Sequence, residues 1–397
     1  MRLLARLAAA ALLTVPPVAA GTASAAAPEP TPAPLKTAAN PVPGEYIVTL
    51  EKGVDAAEAA QELGLEPSFV YTSALNGFAV PLTPLQLTAV RNSPGVTSVE
   101  EDANVRSVPR PSTVSGTRVP ATSWGLDRID QGKLPLDNDF AVAGDGAGVT
   151  AYILDTGIDY QHAEFGGPGA TRAAFGFDAV DDGRNGQDCN GHGTHVAGTV
   201  AGQTYGVARR ANVVSVRVLN CDGTGTFSGI IAGLDWVAKN AQQPAVLNGS
   251  LGGDRSEALN NAANAVTDAG VLPIFAAGNS AKDACLVSPA SAPKAFTVAA
   301  TDRYDEESSF SNHGECVSLF APGEDIVSAQ LGGGSISHSG TSMSAPHVTG
   351  VAALYKAANP TAGPQAVAEF LKDRSTKDVL SGVSPGTPNQ LLNLGGL

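Results

Sequence analysis

Positive charge is scarce in this sequence. The 397 residues include 24 lysines and arginines against 38 aspartates and glutamates, which gives a formal net charge of −14. Nucleic acid is a polyanion that proteins bind through basic surfaces, so a nucleic-acid partner is not expected. The acidic excess instead favours solubility and is compatible with the binding of cations.

Charged residues of both signs and cysteines are also few. Only 16% of the residues are charged, whereas 43% are apolar and 45 are glycines. This composition is typical of a large α/β core with tight turns, and the length allows two or three domains. The chain has just four cysteines. They could form two disulfides or none, and if paired they allow three connectivities.

No long apolar run suggests a membrane anchor. A short basic start at residues 1–6 precedes an apolar run at 7–20, and Ala23-Ser24-Ala25 offers the small residues of a cleavage site. Because the run is short and no stop-transfer pattern follows, residues 1–25 are predicted to be a secretory signal peptide. The protein is therefore expected to be secreted, with no membrane attachment after removal of this peptide. Residues 26–43 are rich in Pro, Ala and Thr and are predicted to be a linker.

A small domain is predicted over residues 44–106. Alternating strands and amphipathic helices follow the order β-α-β-β-α-β, which is that of the ferredoxin-like split unit. The predicted strands are 45–50, 69–71, 77–80 and 96–99, and the predicted helices are 55–63 and 83–93. A free-standing adaptor domain is one interpretation of this unit. Residues 107–121 contain several Pro, Ser and Gly residues and are predicted to be an exposed linker.

The remaining residues, 122–397, show a different pattern. Apolar runs rich in Val and Ile alternate with helical segments from Trp124 onward, which implies a parallel sheet covered on both faces. The strands are predicted at 149–154, 213–219, 245–251, 271–277 and 295–300, and the helices at 195–203, 228–240, 256–269 and 345–357. The fold class is therefore α/β, with a doubly wound, mostly parallel sheet preceded by the small α+β domain. Ligands are expected beyond the carboxyl ends of the strands.

Ser342 stands at the start of one predicted helix. Pro346 is tolerated in a first turn, where its missing N–H breaks no hydrogen bond, so this helix is expected to start close to it. A helix N-terminus offers free N–H donors and partial positive charge, which suits a nucleophile that generates an oxyanion. Taken alone, a serine at a helix start is usually just an N-cap.

Three further polar residues could complete a nucleophilic site. His192, between two glycines, is a candidate base, and Asp155, after a strand, is a candidate to orient its imidazole. Asn279 could donate to an oxyanion together with the Ser342 N–H. Each is also compatible with a simple turn. His192 and His195 could suggest a metal pair, but no Glu lies between them and no third ligand is evident, so zinc is not expected.

The chain order Asp155, His192, Ser342, with the sequences around these residues, resembles the subtilisin superfamily of serine proteases. The match is closest to the proteinase K/aqualysin-like branch and extends from about Trp124 to the C-terminus. It implies a serine endopeptidase that acts on proteins and peptides through an acyl-enzyme, without a catalytic cofactor and as a monomer. The domain at 44–106 is similar to the inhibitory propeptide of that family. A zymogen that cleaves itself within the linker is therefore expected.

The sequence leaves room for functions other than an endopeptidase. Position 344 is Ser, so Ser342 does not lie in a Gly-x-Ser-x-Gly motif, and the order is not Ser-Asp-His; both points disfavour an α/β-hydrolase esterase. The runner-up to an endopeptidase is a catalytically silent fold that binds peptides, and an esterase that uses the same triad is a second alternative.

The resemblance also implies where a substrate would bind. Two segments would clasp an extended peptide by main-chain hydrogen bonds. The implied substrate-binding residues are Gly223, Thr224, Gly225, Phe227, Ser250, Leu251, Gly252, Gly253 and Gly278. Leu251, Gly252, Gly253 and Gly278 would line the primary pocket, and Phe227 would lie at the fourth subsite. Because no acidic residue is among these positions, cleavage is expected after apolar or aromatic residues rather than Arg or Lys.

Disulfides are expected because a signal peptide implies an oxidising compartment. The positions of the cysteines resemble an aqualysin-like pattern, which implies the pairs Cys189–Cys221 and Cys285–Cys316.

A structural calcium ion is expected near the start of the α/β domain. Five residues with oxygen-bearing side chains resemble a calcium site of some proteinase K-like enzymes, and oxygen atoms are the ligands that calcium prefers. They are Asp127, Asp130, Gln131, Asp137 and Asp139. A solvated acidic loop is the alternative. Asp178, Asp181, Asp182 and Asp188 form a weaker second candidate. Another site of the family, near Pro293 and Ala295, is not expected because Ser318 replaces its usual aspartate.

Overall fold

The computed structural model describes residues 31–107, 110–111 and 123–397. The predicted signal peptide and most of the predicted processing linker lie outside these residues. Within them, a small antiparallel unit precedes a larger unit built around a mostly parallel sheet. The predicted fold class is confirmed.

The small unit has the predicted order of elements. It contains β1 (Leu35–Lys36), β2 (Pro41–Leu50), α1 (Ala56–Glu62), β3 (Phe69–Tyr71), β4 (Gly77–Pro81), α2 (Pro84–Arg91) and β5 (Val96–Arg106). β5, β2, β4 and β3 lie in that spatial order and pair antiparallel, as in a ferredoxin-like split unit. Both helices begin at side-chain caps. Asp55 accepts from the N–H groups of Ala57 and Glu58, and Thr83 forms a capping box with Gln86.

The small unit starts earlier in the chain than expected. β1 pairs parallel with β5, β2 begins at Pro41, and Ala33 is buried. Part of the predicted linker 26–43 therefore packs with the sheet. Its proline content suggested a linker, but an edge strand and the first residue of a strand are the positions where a sheet accepts proline.

The larger unit is a doubly wound sheet with helices on both faces. Its helices are α3 (Trp124–Asp130), α4 (His192–Ala201), α5 (Phe227–Asn240), α6 (Glu257–Asp268), α7 (Thr341–Ala358) and α8 (Pro364–Arg374). Among the described residues the central sheet has nine strands: β7 (Thr150–Asp155), β8 (Ala173–Asp178), β9 (Asn212–Arg217), β11 (Ala245–Gly249), β13 (Leu272–Ala276), β15 (Phe296–Thr301), β16 (Leu319–Pro322), β19 (Thr376–Lys377) and β20 (Gln390–Leu391). All neighbouring pairs are parallel except β19 with β20.

Shorter strands lie outside this sheet. They are β6 (Arg110–Pro111), β10 (Thr224–Thr226), β12 (Gly253–Asp254), β14 (Val287–Ser288), β17 (Ile326–Ala329) and β18 (Ser335–Ser339). β10 pairs with β5 of the small unit, and β6 pairs with β18. Within the described part of the chain, no helix combines the length and apolar character needed to cross a membrane.

Alternate residues of the central strands feed two separate cores. Ala151 and Ile153 of β7 pack with α4 and α7, whereas Tyr152 and Leu154 pack with α5 and α6. Strands buried on both faces are apolar at every position, which explains the continuous Val- and Ile-rich runs in the sequence.

Helices α4 and α7 begin several residues earlier than predicted. α4 begins at His192 rather than 195, and α7 begins at Thr341 rather than 345, so Pro346 lies beyond the first turn. Pro346 has no N–H to give to the carbonyl of Ser342, four residues before it. The Ser250 hydroxyl donates to that carbonyl instead, at 2.8 Å. The expectation that α7 starts next to Pro346 was wrong because the side chain of Ser250, just after β11, replaces the missing bond.

The close approach of α7 to the segment after α4 gives a test of the packing. A Cβ atom on Gly350 of α7 would lie 2.4 Å from the Val207 Cβ. Gly350→Ala is therefore expected to lower the free energy of unfolding by about 1–3 kcal/mol, measured by urea unfolding and circular dichroism.

Gly144→Ala is the control, since its added methyl group would make only ordinary contact with Leu354 at 3.6 Å. Its effect should stay within about 0.5 kcal/mol. Equal stability of the two variants would show that α7 and Val207 are not packed this closely.

Candidate functional site

A buried carboxylate–imidazole pair lies at the carboxyl edge of the central sheet. Asp155 is the last residue of β7 and His192 is the first residue of α4. The Nδ1 atom of His192 lies 2.7 Å from Oδ1 of Asp155, and neither side chain is exposed to solvent. The Thr156 N–H also donates to Asp155 Oδ1. This arrangement places the proton of a neutral imidazole on Nδ1 and leaves Nε2 to act as a base.

Two effects of opposite sign act on the pKa of His192. Burial alone would lower the pKa, but the charge of Asp155, its hydrogen bond and the charge of Asp188 raise it above 6.5. Among the described residues, His192 Nε2 has no hydrogen-bond partner. The imidazole is therefore held at one nitrogen and available at the other.

Glycines allow the turn after β7 to touch the start of α4. A Cβ atom on Gly193 would lie 2.2 Å from the carbonyl oxygen of Gly157, and Gly157 itself has φ +114°. A side chain at position 193 would displace the backbone, and the positive φ at position 157 is readily adopted only by glycine. The Asp155–His192 hydrogen bond depends on this close approach.

Asp188 holds the start of α4, a role that sequence reasoning missed. Its Oδ1 accepts from the N–H groups of Asn190 and Gly191 and from the Thr156 hydroxyl, at 2.9–3.0 Å. Its Oδ2 accepts from the N–H and the hydroxyl of Thr194. Asp188 lies three residues before Gly191, the N-cap position of α4, so no simple capping pattern marks it in the sequence.

The second calcium candidate is used for other contacts. Asp178 and Asp182 both form ion pairs with the buried guanidinium of Arg217, at 3.1 and 2.6 Å. The contact with Arg217 lowers the pKa of Asp182 to about 2. Arg217 thus already supplies the positive charge that Asp178 and Asp182 bind. Asp188 is engaged with the start of α4. These residues therefore do not fit a calcium site.

Ser342 is the second residue of α7 and is joined to Ser250 in both directions. Its hydroxyl donates to the Ser250 carbonyl at 3.1 Å, and the Ser250 hydroxyl donates to the Ser342 carbonyl at 2.8 Å. Asn248 donates to the Ser250 hydroxyl and accepts from Thr349 of α7. This buried network fixes the first turn of α7 against the end of β11.

The sheet register brings Ser250 next to Asp155. Leu154 of β7 pairs with Gly249 of β11, so the following residues, Asp155 and Ser250, leave adjacent strands side by side. Asp155 holds His192 and Ser250 holds Ser342, which places both at one edge of the sheet. In this structure the Ser342 hydroxyl is turned toward Ser250.

Asn279 lies at the same edge, after β13. Its Oδ1 accepts from the backbone N–H and the hydroxyl of Thr341, each at 2.8 Å, and the Thr341 hydroxyl accepts from the Gly278 N–H at 3.0 Å. The residue before Ser342 thus orients the Asn279 amide. Sequence reasoning did not identify Thr341, since a threonine at a helix start is common and gives no distinct signal.

The predicted substrate segments are occupied by the chain itself. β5 pairs antiparallel with β10, with Arg106 opposite Thr224 and Val105 opposite Gly225. Arg106 also bridges to Gly252, and the Ser107 N–H donates to the Gly223 carbonyl at 2.9 Å. The end of the small unit therefore lies between both segments, bonded to them through its main chain.

The side chain of Val105 lies where Phe227 and Gly253 meet. A Cβ atom on Gly253 would be 2.9 Å from both Val105 Cγ1 and Phe227 Cε1. Gly253 therefore leaves room for an apolar side chain of a bound strand beside Phe227. This is the place that the resemblance assigned to a fourth subsite.

A cavity of about 680 Å³ opens beside Ser342. Its lining includes Leu251, Gly252, Gly253, Gly278, Asn279 and Thr224, together with Ser280, Lys282, Asn312 and Asp254, which were not predicted. Asp254 adds a carboxylate that the predicted pocket residues lack. The Lys282 Nζ lies 3.7 Å from that carboxylate, so the two charges largely offset each other.

The small unit is docked onto two helices of the larger unit by carboxylates. Asp102 accepts from the N–H and hydroxyl of Ser228 at the start of α5, and Glu100 accepts from the Ala258 N–H at the start of α6. Negative charge is favourable at helix N-termini. In return, Asp235 of α5 accepts from three backbone N–H groups of residues 72–74. These contacts disfavour the interpretation of a free-standing adaptor.

The first calcium candidate forms a folded acidic loop. Asp127 accepts from the N–H groups of Asn138 and Asp137, and Asp130 accepts from the Ala141 N–H. The Asp139 N–H donates to Asp137, and the Gln131 amide donates to the carbonyls of Lys133 and Pro135.

Burial, and to a smaller extent the charges of the neighbouring aspartates, raises the pKa of Asp130 in this loop. Within the described ranges, however, no three His, Cys, Asp or Glu side chains converge as a metal-binding group.

Both disulfides implied by the resemblance are present, Cys189–Cys221 and Cys285–Cys316. The first joins the loop before His192 to the segment before β10.

Comparisons with known proteins agree with this geometry. The chain matches the subtilase family over residues 146–391 and a peptidase inhibitor I9 segment over residues 64–107. It is 45% identical to an extracellular serine proteinase of Thermus sp. (strain Rt41A), with 88% of this chain and 89% of that protein covered. It is 39% identical to a cuticle-degrading protease of Metarhizium anisopliae, with 96% and 98% covered. The crystal structure of a cold adapted subtilisin-like serine proteinase is 51% identical and has a TM-score of 0.66, with 69% of this chain and 98% of that chain covered.

The chain belongs to the subtilase family of serine proteinases and carries a peptidase inhibitor I9 unit at its N-terminal side. It is therefore a hydrolase of peptide bonds, and the predicted resemblance to the proteinase K-like branch is confirmed.

The electrostatics of His192 can be tested directly. In the Ser342→Ala precursor, NMR titration of labelled histidine should give His192 a pKa above 6.5. Asp155→Asn removes the partner charge but leaves the burial, so the pKa of His192 should fall below 6.5.

Asp222→Asn changes an exposed aspartate of the same region and should leave the pKa of His192 where it was. A pKa that does not respond to Asp155→Asn would contradict the pairing.

Proposed function

We propose that the protein is a secreted serine endopeptidase, made as a self-processed zymogen, in which Ser342, His192 and Asp155 form the catalytic triad. The observation that carries the proposal is the position of β5. It pairs with Thr224–Thr226 and bridges to Gly252 as an extended substrate would, and it leads to the edge of the sheet that holds Ser342. Main-chain pairing to an exposed strand is a common way to bind peptides without strict sequence selection.

The reaction starts when the Ser342 hydroxyl turns from the Ser250 carbonyl toward His192 Nε2. Ser342 Oγ bonds to the peptide carbonyl carbon while His192 takes the hydroxyl proton. Asp155 keeps the imidazole in one orientation and stabilises the imidazolium. The carbonyl oxygen becomes an oxyanion that accepts from the Ser342 N–H and the Asn279 amide.

The tetrahedral intermediate collapses when the C–N bond breaks. His192 gives its proton to the leaving amine, and the acyl group stays on Ser342 as an ester. A water molecule then loses a proton to His192 and attacks the ester carbon. Collapse of this second intermediate returns the proton to Ser342 Oγ and releases the new carboxyl group.

The cavity supports a preference for apolar or aromatic side chains before the cleaved bond. Leu251, Ala276 and glycines 252, 253 and 278 contribute to its lining. Asp254 is the one carboxylate among its lining residues within the described chain, and Lys282 faces it. An Arg or Lys of a substrate would therefore meet little net negative charge.

The small unit supports synthesis as an inhibited precursor. Its last strand occupies the substrate segments, so a substrate cannot bind until this strand leaves. We propose self-cleavage within residues 107–121, most of which lie outside the described residues, after secretion directed by residues 1–25. The name of the Thermus relative, an extracellular serine proteinase, supports this location.

The proposed triad is tested by Ser342→Ala. This variant should remain an unprocessed precursor and should lose about 10⁶-fold in turnover of casein, because the triad acts as a unit. A sulfonyl fluoride should label wild type but not the variant.

Ser308→Ala serves as the matched control, since Ser308 is also a buried serine, in a loop after β15. It should be processed and labelled normally. Casein cleavage by Ser342→Ala would remove the proposal. Labelling of wild type without protein cleavage would favour an esterase, and neither labelling nor cleavage would favour a peptide-binding protein.

We also propose that the loop 127–139 binds a structural calcium ion. Burial, and less strongly the charges of neighbouring aspartates, raises the pKa of Asp127 and Asp130 in this loop. A divalent cation would offset this negative charge, and backbone carbonyls could supply further oxygen ligands. The ion has no part in the chemical step.

Chelation should lower the thermal midpoint of the mature enzyme. Calcium at 100 times its dissociation constant adds about 2.7 kcal/mol to the free energy of unfolding. Asp137→Asn should abolish the dependence on calcium in differential scanning calorimetry. Asp181→Asn, an exposed residue in the Arg217-bound loop, should keep it. A melting curve of wild type that chelation leaves unchanged would refute the calcium site.

A further inference from the structure

We propose that Asn312 is a positioning residue for Asn279 and sets the depth of the primary pocket. Neither role was foreseen from the sequence, where Asn312 lies in a loop between β15 and β16. The inference rests on the proposed function of Asn279 and deepens it.

Asn312 binds the loop that carries Asn279 at four points. Its Oδ1 accepts from the N–H groups of Ser280 and Lys282, at 3.0 and 3.1 Å. Its Nδ2 donates to the Ala277 carbonyl at 2.8 Å, and its backbone N–H donates to the Gly278 carbonyl at 2.9 Å. One side chain thus bonds to backbone groups on both sides of Asn279.

Asn279 is consequently held from two directions. Thr341 binds its side-chain oxygen, whereas Asn312 binds the backbone before and after it. The amide is the proposed donor to the oxyanion, and its contribution depends on placement to within a fraction of an ångström. A misplacement of 1 Å in a catalytic group can cost about 10²-fold in rate.

Asn312 is also the wall behind Gly278. It is 1% exposed, lines the cavity beside Ser342, and its Nδ2 would lie 2.4 Å from a Cβ atom at position 278. The volume of the Asn312 side chain therefore limits the space available to a substrate side chain at this wall. A smaller residue at 312 would leave a deeper pocket.

The chemistry of the contacts explains why asparagine stands here. The site offers two N–H donors and one carbonyl acceptor to a single planar group, which an amide satisfies at both ends. An aspartate in its place would put a carboxylate oxygen against the Ala277 carbonyl oxygen, and these two acceptors would repel each other. A serine would be too short to reach both sides of the loop.

Two substitutions separate the two roles. Asn312→Asp keeps the volume and breaks the donor contact, and Asn312→Ser removes volume as well. The matched control is Asn389→Asp. Asn389 also holds a loop, accepting from the Leu380 N–H and donating to the Leu380 carbonyl, and it is not among the residues that line the cavity.

The variants are produced as full precursors, and any that do not process themselves are matured by added wild-type enzyme. Turnover is measured on peptides with Ala, Leu, Phe or Trp before the cleaved bond. Affinity is measured for a peptide aldehyde, whose carbon bonds to Ser342 Oγ and whose oxygen then occupies the oxyanion position.

Asn312→Asp should lower kcat about tenfold and leave KM within about twofold. Complete loss of the amide donor costs about 10²–10³-fold in kcat, and this variant displaces the donor without removing it. The affinity for the aldehyde should fall by the same factor as kcat/KM. Asn312→Ser should show this loss and also a several-fold rise in kcat/KM for Trp relative to Ala. Asn389→Asp should lower the melting temperature but change neither property.

The inference is overturned if Asn312→Asp keeps kcat and aldehyde affinity within twofold of wild type, or if Asn389→Asp reproduces its kinetic losses. An unchanged preference in Asn312→Ser would remove the role in pocket depth. Ser342→Ala distinguishes a failure of the proposed function from a failure of the role of Asn312. If it is inactive, the proposed function survives any failure of Asn312, whereas an active Ser342→Ala removes both.

Discussion

Three parallel strands that end side by side are the constraint on which the site depends. β7 ends at Asp155, Ser250 follows β11, and Asn279 lies three residues beyond β13. Because these strands are neighbours in one sheet, their hydrogen-bond register sets the spacing of the groups that follow them. Helices α4 and α7 start at the same edge and contribute His192 and Ser342.

Buried polar contacts then reduce the freedom that remains. Asp188 holds the start of α4, Thr341 and Asn312 hold the loop of Asn279, and Asn248 holds Ser250. Each of these groups would be costly to bury alone, since an unpaired polar group in the interior loses its bonds to water. Because these groups have hydrogen-bond partners, they favour one arrangement of the site over its alternatives.

The same features explain how the small unit occupies the proposed substrate segments. The segments that would bind a substrate hold β5 through main-chain bonds that any extended peptide could make. Additional contacts come from Glu100 and Asp102 at helix N-termini, away from the cleft. The small unit therefore makes contacts that a short peptide lacks, while it uses the mode of binding proposed for a substrate.

The sequence by itself determined the architecture, the family and the residues of the proposed triad. Alternation and helical spacing are local patterns, and the motifs around Asp155, His192, Asn279 and Ser342 are distinctive in type and order. Only the tertiary structure decided the helix starts at His192 and Thr341, the contacts of Asp188 with the start of α4, the pairing of Arg217 with the second acidic loop and the contacts of Asn312. These contacts of Arg217 and Asn312 join residues 30 to 39 positions apart in the chain. The missing N–H of Pro346, for example, is compensated by Ser250, which lies 92 positions before the Ser342 carbonyl that it binds, a pairing that no local pattern contains.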